Sequence, residues 1–156
     1  MPKKICKICK KEFYSNDLKY MCKSCRKDKI KPISKLKSKA DKLWRTVGKS
    51  NSSCEVCEKY PEQKVIYNQL HPHHVCGRRN EQLRWDIRNR CWLCPTHHTL
   101  GRISAHNTPR WFNEEFFKVI RPQDYEYIKE KELITEKITV EFVERCIKEL
   151  EMLITK

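Results

Sequence analysis

Every histidine in the chain falls between positions 71 and 106: His71, His73, His74, His97, His98 and His106. A neutral imidazole binds a metal ion through one ring nitrogen, and an unmetallated imidazole titrates near neutrality and can take a proton from water. Through the same window run Arg78, Arg79, Arg84, Arg88, Arg90 and Arg102, without a single lysine. Guanidinium forks grip phosphate oxygens bidentately and stay charged in any surroundings, whereas lysine is a mobile point charge. The combination points to a metal beside a bound phosphate. Solubilising surface charge would instead draw on lysine and arginine alike.

The ten cysteines carry a second message. Cys6/Cys9, Cys22/Cys25 and Cys54/Cys57 each form a C-x2-C pair. The opening "MPKKICKICK" lacks the apolar stretch of a signal peptide, and no run approaches the roughly 20 residues of a membrane-spanning helix. A reducing cytoplasm is therefore expected, where spaced cysteine pairs bind metal and do not form a disulfide framework. Twelve residues separate Cys9 from Cys22. That length lets two knuckles converge on one tetrahedral ion, so Cys6, Cys9, Cys22 and Cys25 read as a zinc ribbon. Phe13, Tyr14 and Tyr20 lie between the pairs, either as the ribbon's small core or as flat faces for nucleic acid.

Charge is unevenly placed. Residues 1–50 hold 17 Lys and Arg against 4 Asp and Glu, while the remainder holds 17 against 16. A basic arm on a near-neutral body is the electrostatic footprint of a polyanion-binding protein, and nucleic acid is the commonest such partner. Apolar residues at 38% and charged ones at 35% exclude a collagen-like or disordered chain and leave a modest core.

The elements that must position these groups are legible in outline. Ile33, Leu36, Ala40, Leu43 and Val47 recur at helical spacing, with Pro32 suited to a first turn and Gly48 to a C-terminal cap. This helix shows Lys35, Lys37, Lys39 and Lys42 on its other faces. Residues 64–70, "KVIYNQL", read as a strand leading into the histidines. Thr108 and Pro109 start a helix whose inward stripe is Phe112, Phe116, Val119 and Ile120. "RPQDYEYIKEKELI" reads as a further helix. Thr139 caps a last one, with Phe142, Val143, Cys146, Ile147, Leu150 and Ile154 on one side. Cys76 and Cys146 read as buried thiols.

Taken in order, "CEVC" (54–57), "HPHHVCGRRN" (71–80), "LRWDIRN" (83–89) and "RCWLCPTHHTLGRISAH" (90–106) resemble the HNH, or ββα-metal, endonucleases of phage type. The ribbon, the spacer helix and "LRWDIRN" more loosely resemble the NinG-type recombination nucleases of phages. The resemblance covers roughly residues 54–106. His97 stands where a cysteine is usual, and His106 lies farther from His98 than in the common pattern.

The resemblance implies roles. His74 would be the general base, with a pKa near neutrality, and His73, His98 and His106 would hold one catalytic divalent cation: magnesium, manganese, nickel or zinc. Asn89 would brace the hairpin so that His74 stays aimed, and Arg78 would clamp the phosphate. Arg79, Arg84, Arg88, Arg102, Lys35 and Lys39 would line the nucleic-acid surface. A structural zinc, the second beside that of the ribbon, would join Cys54 and Cys57 to either Cys94 and His97 or Cys91 and Cys94. The pattern favours the former, leaving Cys91 as an inward strand residue.

The fold class expected is α+β. A zinc-stapled ββα-metal nuclease module (49–108) would follow an N-terminal zinc ribbon (1–30) and a basic spacer helix (31–48), and would precede a C-terminal helical extension (109–156). The activity implied is phosphodiester hydrolysis on DNA, branched DNA included. A zinc-containing nucleic-acid-binding protein without catalysis is the alternative.

Overall fold

The computed structural model describes residues 2–7, 9–14, 21–49, 52–134 and 137–154, with the backbone alone over 26–32. Strands β1 (Lys3–Ile5) and β2 (Glu12–Tyr14) pair antiparallel, with Lys3 opposite Tyr14 and Ile5 opposite Glu12. Between them Lys10, at φ 58°, takes the left-handed conformation that non-glycine residues adopt only at isolated turn positions. Its N–H donates to the Cys6 carbonyl at 2.9 Å. Tyr14 is exposed and Phe13 half-buried, while Tyr20 lies outside the described residues.

Helix α1 (Lys23–Thr46) starts well before Pro32, and Pro32 lies inside it. Its first turn grows out of the N-terminal cysteine cluster, where the Cys22 sulfur accepts from the Cys25 N–H. Once nucleated, a helix anchored by packing tolerates the one missing donor of an interior proline. At the other end Gly48 closes it at φ 68°, as the sequence predicts. Trp44 joins Ala40 and Val47 in the buried stripe, which packs on Val143, Ile147 and Leu150 of α5 (Val140–Ile154).

The hairpin differs from expectation. Strand β3 is His71–His74 itself, paired antiparallel with β4 (Arg90–Leu93), and 64–70 forms no ladder. Its β-branched and aromatic residues find no strand to pair with, since β4 is four residues long and faces 71–74. Val65, Tyr67 and Leu70 pack instead on the main core, and the Tyr67 hydroxyl accepts from the Cys54 N–H at 3.0 Å. That core also takes in α2 (Glu55–Lys59), Leu83, Phe112, Phe116, Phe117 and Tyr125.

The chain winds as a π-helix at Thr96–Leu100 and again at Trp111–Phe117, which runs on into α3 (Lys118–Ile120). The wider π turn rotates the stripe, so Phe117 is buried and Val119, expected inside, is 57% exposed. The Thr108 hydroxyl turns back onto Ser104, donating to its carbonyl at 2.9 Å, and does not cap forward. Helix α4 (Pro122–Glu132) and α5 stand where the sequence puts helices, and Thr139 Oγ1 accepts from the Phe142 N–H at 3.2 Å. Ile154 is exposed. Among the described residues no helix is long and apolar enough to cross a membrane.

Candidate metal centre

Three groups of ligand side chains converge, each with its ligand atoms within 4.8 Å of one another: Cys6, Cys9, Cys22 and Cys25; Cys54, Cys57, Cys94 and His97; and His73, His98 and His106. In the first, Cys9 and Cys22 sulfurs lie 3.7 Å apart, and the Cys22 N–H donates to the Cys6 sulfur at 3.4 Å. Zn–S bonds of about 2.3 Å in a tetrahedron put sulfurs roughly 3.8 Å apart. These four cysteines could hold zinc.

In the second group His97 Nδ1 faces three sulfurs, Cys94 at 3.2 Å and Cys54 and Cys57 at 3.5 Å each. A tetrahedral edge between a zinc-bound nitrogen and sulfur is roughly 3.5 Å, so this set also fits zinc. All four residues are buried. Burial pushes the Cys54 thiol up to about 12, so a thiolate forms there only against a compensating cation. Cys91, the other ligand candidate, is fully buried on β4 opposite His73. Cys54 immediately precedes α2, Cys94 follows β4 and His97 lies in the π turn, so this cluster ties together the two ends of the hairpin unit. Of the two thiols expected to be buried, Cys76 and Cys146, each is half-buried.

The third group is made of histidines alone. Adjacent residues on the π turn point roughly a quarter-turn apart, so His97 turns to the sulfurs while His98 turns to β3. His106 reaches the same place because the loop folds back: the Ala105 N–H donates to the His97 carbonyl at 2.9 Å and that of His106 to the His98 carbonyl at 3.2 Å. Gly101 permits the turn, since a Cβ there would lie 2.8 Å from the Thr96 carbonyl oxygen. Ring centroids stand 5.3 Å apart for His73 and His98, 5.1 Å for His73 and His106, and 4.9 Å for His98 and His106. Burial, with the neighbouring imidazoles, pushes His73 down to about 3 and His98 to about 4. Both are neutral at pH 7 and offer lone pairs, as a cation site requires.

Strand alternation separates His73 from His74. His71 and His73 share the face toward His98, and His71 Nδ1 lies 3.3 Å from His98 Nδ1. The His74 ring stacks on Trp44 at 3.8 Å and 14°, with its Nε2 3.0 Å from the Arg84 carbonyl oxygen. Only a protonated Nε2 can donate to that carbonyl, which leaves Nδ1 as the acceptor. Burial, with Arg78 and Arg84 nearby, pushes the imidazole down to about 4, below the near-neutral value expected of it. A cavity of about 430 Å³ brings Trp44, Arg45, His71, His73, His74, Arg78, His98 and His106 together.

Asn89 is wholly buried. Its Oδ1 accepts from the Cys76 N–H at 2.6 Å, and Nδ2 donates to the carbonyls of Cys76 and Leu83, both at 2.9 Å. It thus pins the segment after β3 to the start of β4.

The cationic side chains divide. Arg78 borders both the histidine cavity and a neighbouring one of about 1070 Å³, which Arg79 and Asn80 also line. Arg79, Arg102 and Lys35 are exposed. Arg84 differs from expectation: its fork is taken by Asp41, at 2.9 and 2.8 Å. Arg88 forks onto Asp86 and stacks 3.4 Å from the Tyr127 ring centroid, bordering a cavity against α5. Lys39 pairs with Glu151 of α5 at 2.6 Å. Each of these three has a carboxylate partner within the chain: Asp86 is two residues from Arg88, whereas Asp41 and Glu151 are distant in sequence from Arg84 and Lys39.

Sequence reasoning passed over His71, Trp44 and Arg45. His71 would have followed from starting the strand at 71, since residues two apart share a face. Trp44 stands four residues after Ala40, on the same helical stripe. Compared with protein-family models, curated proteins and solved structures, the chain finds no match.

Proposed function

We propose that the chain is a metal-dependent endonuclease of the HNH, or ββα-metal, type that hydrolyses DNA phosphodiester bonds in a reducing cytoplasm. One observation carries the reading: His73, His98 and His106 offer ligand atoms within 4.8 Å of one another, and the cavity they border also holds His74 and Arg78. Binding alone needs cysteines and positive charge, and has no use for that histidine constellation.

His73, His98 and His106 would hold a divalent cation, which would supply positive charge to the phosphate undergoing cleavage. His74 Nδ1 accepts the proton of the attacking water, its ring fixed by the Arg84 carbonyl and the Trp44 face. Arg78, which lines both cavities, grips the phosphate. Asn89 keeps the hairpin closed beneath them. The β3–β4 hairpin and the π turn form the ββα-metal unit of this reading, and zinc in the two cysteine-containing clusters supplies folding free energy. The basic ribbon and α1 give affinity that is driven by the phosphate backbone and falls with salt.

Supercoiled plasmid, with flap and four-way-junction substrates beside it, tests the reading. Magnesium, manganese or nickel is expected to support nicking, and His74→Ala to abolish it while zinc content and circular dichroism stay unchanged. If wild-type protein is inert on all substrates with all three metals, the non-catalytic binding reading replaces this one.

A further inference from the structure

We infer that Trp44 is a positioning residue for His74: its flat indole face holds the imidazole in one orientation and one tautomer. The inference rests on the catalytic reading of His74 and extends the machinery into the N-terminal basic helix.

An edge hydrogen bond alone leaves a histidine ring able to swing about its χ2 axis. The stack at 3.8 Å and 14° removes that freedom. Trp44 itself is held on several sides. It is 2% exposed, its Nε1 donates to the Asp86 carbonyl at 3.0 Å, and its own carbonyl accepts from Arg90. Arg90 stands opposite His74 in the β3–β4 ladder, so the helix and the hairpin are latched at the position of the base.

The edge restraint also begins on α1. Asp41, one turn before Trp44, takes the Arg84 fork at 2.9 and 2.8 Å and the Trp85 Nε1–H at 2.8 Å. It thereby fixes the backbone whose carbonyl receives His74 Nε2. Both restraints on the ring therefore come from a single turn of α1. On this account the basic helix sets the geometry of the base in addition to any contact it makes with DNA.

Trp44→Phe and Trp44→Leu, made in the full chain, separate positioning from core filling. Both leave part of the indole's space unfilled and both lose the bond to Asp86, and of the two only Phe keeps a flat face. Three readouts are taken at equal zinc content: His74 ring-nitrogen NMR shifts at pH 7, single-turnover plasmid cleavage with manganese, and DNA affinity with calcium. The wild type and the Phe variant are expected to show one Nε2–H tautomer, and the Leu variant a mixture. Cleavage by the Leu variant is expected to fall about 10- to 100-fold, the scale of a misaligned catalytic group, with affinity within about twofold.

A folded Leu variant with the wild-type tautomer and rate overturns the inference. If the Leu variant does not fold, Trp44→Met takes its place under the same criteria. Should the wild type cleave nothing, the catalytic reading falls, and the nitrogen shifts still decide whether Trp44 orients the ring.

Discussion

Replacing Asn89 by aspartate keeps its shape and removes its two donated hydrogen bonds. The Nδ2 group donates to the Cys76 and Leu83 carbonyls at 2.9 Å, in a site with no solvent exposure. The introduced carboxylate would face both carbonyl oxygens from inside the protein. Two lost donations at about 1 kcal/mol each, together with the burial of an unpaired charge or its forced protonation, sum to about 3–5 kcal/mol. For a chain of this size each kcal/mol moves the melting temperature by about 2–4 °C, so Asn89→Asp should melt roughly 6–20 °C below wild type. The sign of the pH dependence follows from burial. The introduced carboxyl has its folded pKa raised above about 3.9, so the variant's deficit is smallest near pH 4 and grows as pH rises through that raised value. Paired thermal melts by circular dichroism at pH 5 and pH 8, at equal zinc content, provide the check. A variant melting within 2 °C of wild type at pH 8 would refute the buried network around Asn89.

Further predictions test the surrounding parts. Burial alone would raise the Asp41 carboxyl, but bonds from Arg84 and Trp85 outweigh it and hold the group below 3.8. Asp41→Asn should therefore cost about 2 kcal/mol at pH 7 in urea unfolding, a gap that narrows once pH falls below 3.8, because stability from a depressed carboxyl is lost through its folded pKa. Equal gaps at pH 7 and pH 3 would contradict the pairing. Cys54→Ser should bind one zinc ion fewer and unfold the hairpin unit, whereas Cys91→Ser should keep the wild-type zinc content, both read by metal release on thiol modification. Loss of zinc from the Cys91 variant would restore the all-cysteine alternative. Arg79→Ala should lower the slope of log affinity against log salt by about 1, and Arg88→Ala should leave it unchanged because Asp86 already holds that fork. Fluorescence anisotropy across a salt series distinguishes the two.

Much of this arrangement was legible in the spacing of ligands. The C-x2-C pairs and the run of histidines are visible in the sequence, the family resemblance implied the grouping of Cys94 and His97 with Cys54 and Cys57 and of His73 with His98 and His106, and the structure brings the ligand atoms of each group together. The caps at Gly48 and Thr139 were legible too, since a cap is a contact within one turn. What escaped depends on partners distant in the chain. The apolar pattern of 64–70 says strand, but pairing belongs to whichever segment β4 meets, and it meets His71–His74. Spacing rules built on α-helical periods misplace Val119 because the π winding before it shifts the phase. The carboxylates that pair with Arg84 and Lys39, Asp41 and Glu151, lie far from them in the chain. The stack of Trp44 on His74 joins residues thirty positions apart, and no local pattern announces it.

Anomalous diffraction from crystals equilibrated with manganese tests the account most directly. It predicts one peak among the rings of His73, His98 and His106, with the His74 ring outside the coordination sphere and its Nδ1 open to water. A peak elsewhere, or one that takes His74 as a ligand, would contradict it.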